Sequence, residues 1–388
     1  MNATRLAKER KAARSGDDKP RLGFVLAALN TGGAERHALI LRRHLEARGY
    51  EVGLLAIARA MSSALASAPG AENAVLLDTR RLLSSPIAWF RTWRALRRLD
   101  AGVLYAINPA CAVVVTVLRD LRLLRGRVVC IFHSTRLQPR ERMTFAPFRW
   151  IAPRLDALVY VSEAQRALWE ARGLHTRRPV VIANGVDLEA FSPQAADRNA
   201  VRAGLGVDPR DYVVAIVAAL RPEKRHQDLI AAVAALRAEG RPVKLLIVGE
   251  GPMRRNLTDL AEKAALQGQV IFAGDQLDVR PFIIASDVCA LCSDTETFPI
   301  AALETLALGV PLVASDVGAI HEIVRDGVNG FLYPAGEVAQ LTAHLARLSD
   351  PDVRTPLSRA ARQSVREFDL RRMIDAHEAL ARSLSAGR

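Results

Sequence analysis

Eleven apolar runs of five to eight residues, set apart by longer stretches of helical period, constrain this chain more than any other feature. Runs so short and so uniformly apolar suit strands buried on both faces. Parallel strands of that kind need helical crossovers, so the alternation predicts an α/β architecture of sheets wrapped by helices. In the first half the expected strands are 22–29, 51–57, 103–107, 128–133, 157–162 and 179–184; in the second they are 212–219, 243–249, 270–274, 288–293 and 311–315. A polar stretch without strong period, 187–200, divides the two series and reads as a linker. At 388 residues, 50% of them hydrophobic, the chain exceeds one ordinary core. The expected fold is two Rossmann-like, doubly wound domains at 21–190 and 191–367, preceded by a charged arm at 1–20 and followed by a helical tail at 368–388. Ligands of such sheets bind beyond the carboxyl ends of the strands, so the chemistry should lie in the loops that follow them.

Charge is uneven along the chain. Residues 1–200 carry 32 Lys and Arg against 17 Asp and Glu, a net of +15, whereas 201–388 carry 22 against 24, a net of −2, giving the overall +13. Within the first half, 80–154 holds 15 arginines and three acids, Asp100, Asp120 and Glu141. No recognised nucleic-acid motif accompanies that charge, so nucleic acid is not the expected partner. No apolar run reaches the roughly 18 residues of a membrane span, and the first twenty residues lack the apolar centre of a secretory signal. A cytoplasmic location follows as an expectation, with peripheral attachment to the inner face of the cell membrane open. Cys111 and Cys130 stand alone, and the Cys289/Cys292 pair sits in an apolar run without a second ligand pair, which argues against metal or redox chemistry.

The stretch DTETFPIAALET, 294–305, sets Glu296 and Glu304 on either side of an expected helix start. Pro299 lacks the amide hydrogen that a first turn leaves unpaired and suits the first helical position; Gly309 before Val310-Pro311 suits the stop. The helix is expected from about 299 to 308. At about 100° per residue Glu304 falls between Ile300 and Leu308 and enters an apolar layer, where a charge needs a partner. Either a nearby arginine supplies one and Glu296 is a solvated loop acid, or both carboxylates belong to a binding site. The amides of Ile300 and Ala301 and the positive helix end would face whatever lies beyond Phe298, a place suited to phosphate or polarised hydroxyls.

Three other loops follow strands. Gly32 and Gly33 precede a helix and allow either a tight turn or close approach of backbone to a ligand. Arg221 and Lys224 precede another helix, as solvated cations or as fixed charges that would stabilise a departing anionic group. His133 closes the strand VVCIFH, as a packing residue or as one that looks into a cleft.

These blocks, quoted in order, resemble glycosyltransferase family 4, retaining enzymes of the GT-B fold in which two Rossmann-like domains face each other across a cleft. The resemblance runs from about Leu22 to the terminal helix. It includes GGAERHALIL followed by RGYEV, the segment VAALRPEKRHQDLI, GEGPMRRNL, and the text from Asp294 through GVPLVASDVGAIHEIVRDGVNGFLYP with Gly318, Glu322 and Asn329-Gly330. It implies that Glu304 holds the ribose hydroxyls of a nucleotide-sugar donor and Glu296 the donor-sugar hydroxyls, with backbone at Phe298, Pro299 and Ile300 assisting. Lys224 and Arg221 would bind the diphosphate, Gly32 and Gly33 would lie against it, and His133 would stand beside the reacting carbon. Ala219 occupies the place where the family usually has an arginine five residues before the lysine, so Arg221 comes two positions late. The terminal helix would cross back to the first domain. No metal or other cofactor is implied, although Asp275 and Asp278 follow a strand. The expected activity is retaining transfer to a glycan or lipid-linked glycan acceptor in polysaccharide or glycolipid synthesis. A sugar-nucleotide epimerase of the same fold, or a non-catalytic scaffold, would be told apart by incubation with a panel of nucleotide-sugars.

The segment IAWFRTWRALRRL, 87–99, bears on the acceptor. On a helical wheel Arg91, Arg94 and Arg98 fall together and Trp89, Trp93 and Leu96 lie opposite, a basic amphipathic helix. Either it packs on its domain with solvated arginines, or, with basic segments 119–127 and 136–154, it meets an anionic membrane surface.

Overall fold

The computed structural model describes residues 19–29, 32–61, 71, 74–77, 85–137 and 139–386; the charged arm up to residue 18 lies outside them. Two parallel sheets form. The first contains β1 (Leu22–Leu29), β2 (Val52–Met61), β3 (Val75–Leu76), β4 (Val103–Ile107), β5 (Arg127–Phe132), β6 (Ala157–Tyr160) and β7 (Pro179–Val181), in the spatial order β3-β2-β1-β4-β5-β6-β7. The second contains β8 (Tyr212–Val217), β9 (Val243–Val248), β10 (Val270–Gly274), β11 (Val288–Leu291), β12 (Leu312–Ser315) and β13 (Gly330–Tyr333), in the order β10-β9-β8-β11-β12-β13. Both orders reverse direction once, between β1 and β4 and between β8 and β11. Those two switch points are where the loops after adjacent strands diverge and leave a crevice.

Burial explains why these runs are strands. Every residue of β4, β6, β11 and β12 is buried, as expected where helices cover both faces of a sheet. The apolar core is continuous between the domains: one cluster runs from Leu22 and Leu41 through Val186, Leu370 and Ile374 to Leu303 and Leu312. At about 1.5–3 kcal/mol for each fully buried large aliphatic side chain, such a layer ties the two domains together where the chain crosses between them.

The chain enters the second domain at Val186 and leaves it at Phe368, and these two crossings are bonded to each other. The Val186 amide donates to the Phe368 carbonyl at 2.9 Å and the Leu370 amide to the Val186 carbonyl at 2.9 Å. The helix Leu370–Ala386 then returns to the first domain and packs on the helix Gly33–Ala47 and on β4. Tyr105 donates its hydroxyl to the His377 carbonyl at 3.0 Å, and Arg48 reaches Glu378 at 2.6 Å.

Expected and observed strands differ in their ends and by two additions. β5 ends at Phe132, so His133 begins the loop rather than closing the strand. β3 is a pair of exposed residues in the apolar run 74–77, shorter than the runs read as strands. β13 begins with a glycine, unusual for a strand, because a Cβ at Gly330 would stand 2.0 Å from the Leu312 carbonyl oxygen. The stretch read as a linker contains a 3-10 turn, Pro193–Ala195, and the start of the helix Arg198–Gly204. Pro299 is the residue before the helix, not its first: the helix is Ile300–Ala307, and Pro299 has extended backbone with φ −70° and ψ 122°. A proline's φ serves either position, and here ψ decides.

Candidate functional site

The loop after β11 lies at the second sheet's switch point and carries Glu296 into the protein rather than out to solvent. Glu296 is buried, and its Oε1 accepts from Lys224 Nζ at 2.7 Å and from Ser293 Oγ at 2.6 Å. It is therefore not a solvated loop acid. Lys224 comes from the loop after β8, the neighbouring strand, and the two loops are also joined by the Asp294 amide donating to the Glu223 carbonyl at 2.8 Å. Gly318 seals the arrangement from below. Its φ of +60° is left-handed, and a Cβ there would stand 1.8 Å from the Glu296 carbonyl oxygen, so no side chain fits.

Glu304 lies about one turn into the helix Ile300–Ala307 and is 2% exposed. Its partner is an arginine from the other domain. Arg36 places Nη2 at 2.6 Å from Oε1 and Nη1 at 3.3 Å from Oε2, a two-pronged contact across the cleft. Burial raises the Glu304 pKa, and Arg36 opposes that rise. Arg36 belongs to the first turns of the helix Gly33–Ala47, whose start is the Gly32-Gly33 pair. Its neighbour Glu35 folds back over that start: a Cβ on Gly32 would be 2.5 Å from Glu35 Oε2. Burial raises the Glu35 pKa, opposed by its own backbone amide and by the charge of Arg221 from the second domain.

The first domain contributes the loop after β5. Thr297 donates its hydroxyl to the His133 carbonyl at 2.7 Å, Thr135 donates to the Glu296 carbonyl at 3.1 Å, and Asn184 Nδ2 donates to the Phe298 carbonyl at 2.6 Å. The segment from Glu296 to Phe298 is thus held by the opposite domain. Phe298 itself is a packing residue, edge-on to Phe368 at 5.3 Å. His133 is partly buried, with Nε2 enclosed and without a hydrogen-bond partner. It forms one end of a row of imidazoles, with His37 at 4.9 Å between ring centres and His377 a further 5.6 Å from His37. Burial holds all three well toward the neutral form, and each charge would oppose the next.

The structure therefore brings Gly32, Gly33, His133, Arg221, Lys224, Glu296, Phe298, Pro299, Ile300 and Glu304 to the two facing switch points. Glu35, Arg36, Ser293, Thr297 and Asn184 join them and were not singled out from the sequence. The signal for Arg36 was present, since a carboxylate in an apolar layer demands a cation, but its source 268 positions away was not legible. Among the described residues no three His, Cys, Asp or Glu side chains stand together as metal ligands, and Asp278 is paired with Arg280 at 2.7 Å. Burial pushes the Cys289 and Cys292 thiols up to about 12, so both remain protonated at neutral pH.

The chain is similar to known proteins over both domains. Residues 31–190 match the family model described as Glycosyltransferase Family 4, and residues 197–364 match the one described as Glycosyl transferases group 1. D-inositol 3-phosphate glycosyltransferase of Saccharomonospora viridis is 37% identical over 207 residues, 50% of this chain and 48% of that protein. The enzyme of the same name from Rhodococcus erythropolis is 33% identical over 212 residues, 50% of this chain and 47% of that one. The matched region spans about half the length of these curated relatives. Among solved structures, Anabaena Alr3699/HepE in complex with UDP and glucose superposes with a TM-score of 0.82 at 21% identity, covering 94% of this chain and all of that one, which establishes a shared fold.

Proposed function

The chain belongs to the glycosyltransferases that join a family 4 domain to a group 1 domain, and on that premise we propose that it transfers a sugar from a nucleotide-sugar donor to a glycan or lipid-linked glycan acceptor with retention of configuration. The observation that carries this reading is the pair of carboxylates, Glu296 and Glu304, buried at the carboxyl edge of the second sheet and facing the Gly32-Gly33 turn and His133 of the first. Sugar and ribose hydroxyls are hydrogen-bond donors that can replace those now satisfying the two buried carboxylates. The chain's likeness to a protein solved with UDP and glucose supports the donor class.

In this reading Glu304 accepts from the ribose hydroxyls and Glu296 from the donor sugar. Lys224 carries three donors, so it can keep Glu296 and still meet a phosphate oxygen. As the bond between the anomeric carbon and the diphosphate breaks, the electron pair passes to the phosphate oxygen, where Lys224, Arg221 and the helix start at Gly33 stabilise it. The acceptor hydroxyl approaches from the same face and its proton passes to the departing phosphate. His133 stays neutral beside the reacting carbon, as its lowered pKa favours. This scheme needs no metal.

Membrane attachment belongs to the same proposal. The helix Pro86–Leu99 buries Ala88, Thr92 and Leu96 and leaves Ile87, Phe90, Arg91, Arg94, Arg97 and Arg98 exposed. Trp93 Nε1 donates to the Leu123 carbonyl at 3.1 Å, which sets the exposed Leu121 and Leu123 beside that helix. Exposed Trp150, stacked under Arg154, extends the face. Apolar tips among arginines fit an anionic bilayer, where a lipid-linked acceptor would be held. No described helix is long and apolar enough to cross a membrane.

Incubation with a panel of UDP-, GDP- and ADP-sugars, followed by NMR of the anomeric proton in the product, tests the proposal. Turnover of one donor with retained configuration is expected, and Glu304→Ala should lower it about a hundredfold through lost charged hydrogen bonds. Inverted product, or no turnover of any donor, would overturn the reading.

A further inference from the structure

Two adjacent residues at the start of the helix Gly33–Ala47 occupy positions that the donor is expected to need. Glu35 lays a carboxylate over the Gly32 end of the helix, the place proposed for the diphosphate, and its charge is felt by Arg221 from the facing domain. Arg36 gives two guanidinium nitrogens to Glu304, the acid proposed for the ribose hydroxyls, at 2.6 and 3.3 Å. Anion stands for anion, and hydrogen-bond donors for hydrogen-bond donors. We propose that Glu35 and Arg36 act as the protein's own stand-in for the donor, latching the cleft across Arg36 and Glu304 until the nucleotide displaces them. This inference rests on the nucleotide-sugar reading above for the identity of the displacing ligand.

The asymmetry of burial identifies which partner moves. Glu304 is 2% exposed and fixed in a packed helix, whereas the Arg36 side chain is 35% exposed and long enough to swing into the cleft mouth. A buried carboxylate deprived of its partner is strongly destabilising, so opening the cleft without a replacement is disfavoured. Ribose hydroxyls provide that replacement. A diphosphate arriving at Gly32-Gly33 repels the Glu35 carboxylate and recruits Arg221, so both halves of the stand-in are released by the same ligand. The latch thereby keeps the cleft ordered before the donor arrives and ties release of the first domain's helix start to the presence of a complete nucleotide. A permanent structural bridge between the domains would predict the opposite response to its removal: loss of the bridge would weaken nucleotide binding by loosening the site.

The test has two arms. In the first, fluorescent labels on the two domains report their separation without nucleotide. Arg36→Ala should populate an open form, and the charge-swapped pair Arg36→Glu with Glu304→Arg should restore the closed distance. A closed Arg36→Ala protein, or a swapped pair that stays open, overturns the latch. In the second, calorimetry measures binding of UDP, GDP and ADP to wild type, Arg36→Ala and Glu35→Gln. For whichever nucleotide binds, both variants should bind about tenfold tighter, because a latch that leaves one molecule in ten competent weakens apparent affinity by that factor. Equal or weaker binding overturns the proposal. If none of the three binds even to wild type, the nucleotide reading fails, and the distance measurement alone still decides the latch.

Discussion

Gly318 shows how much of this site depends on a single missing side chain. With φ at +60° and a would-be Cβ 1.8 Å from the Glu296 carbonyl, any replacement must push the 293–298 loop away from its seat. Gly318→Ala should therefore leave the fold intact by circular dichroism while lowering kcat/KM roughly a hundredfold, since displacements near 1 Å cost about that much. Wild-type turnover in that variant would show that the loop's position does not matter to activity. At this scale the sequence was a good guide to the acids and a poor one to their partners. Burial of Glu304 followed from its helical phase between Ile300 and Leu308. Arg36 and Asn184, which reach it and its loop from the first domain, follow from how two domains meet, and nothing within a few residues encodes that.

Individual elements were legible in proportion to how uniformly apolar they are. β1, β4 and β10 match their expected bounds because their ends coincide with a change in polarity. β7 stops short of its expected end because the apolar Ile182 and Ala183 continue into the loop that carries Asn184 to the cleft. The helix Leu370–Ala386 was legible as a helix, but what it buries was not: it brings His377 beside His37 from the helix Gly33–Ala47, and His37 in turn beside His133 after β5. Among these buried imidazoles, burial lowers the His37 pKa from 6.5 to about 4. A histidine lowered in the folded state leaves stability intact above its unfolded value, and stability falls as pH drops from 6.5 toward 4 because the unfolded chain binds the proton more readily. The contribution from His37 over that interval is on the order of 3 kcal/mol. Thermal unfolding of wild type should lose stability steeply between pH 6.5 and 4, and His37→Phe should flatten that slope. Parallel slopes in the two proteins would mean the imidazole row is protonated at little cost.

For the whole molecule, the first domain holds the positive field and the aromatic tips, and the second holds the buried acids Glu296 and Glu304. Sedimentation with anionic vesicles should capture the protein at low salt and release it at high salt, and Phe90→Asp combined with Trp150→Asp should abolish capture without changing the unfolding temperature. Equal sedimentation with neutral vesicles would remove charge from the account, and none at low salt would remove the bilayer.

The paired crossings at Val186 and Phe368 carry a mechanical consequence. Gly185 sits so close that a Cβ would lie 2.7 Å from the Leu370 Cα, which leaves the outgoing and returning segments flush like two leaves on a common pin. Such a joint resists sliding, so any movement between the domains is confined to rotation about one line, and the residues farthest from that line would travel the most.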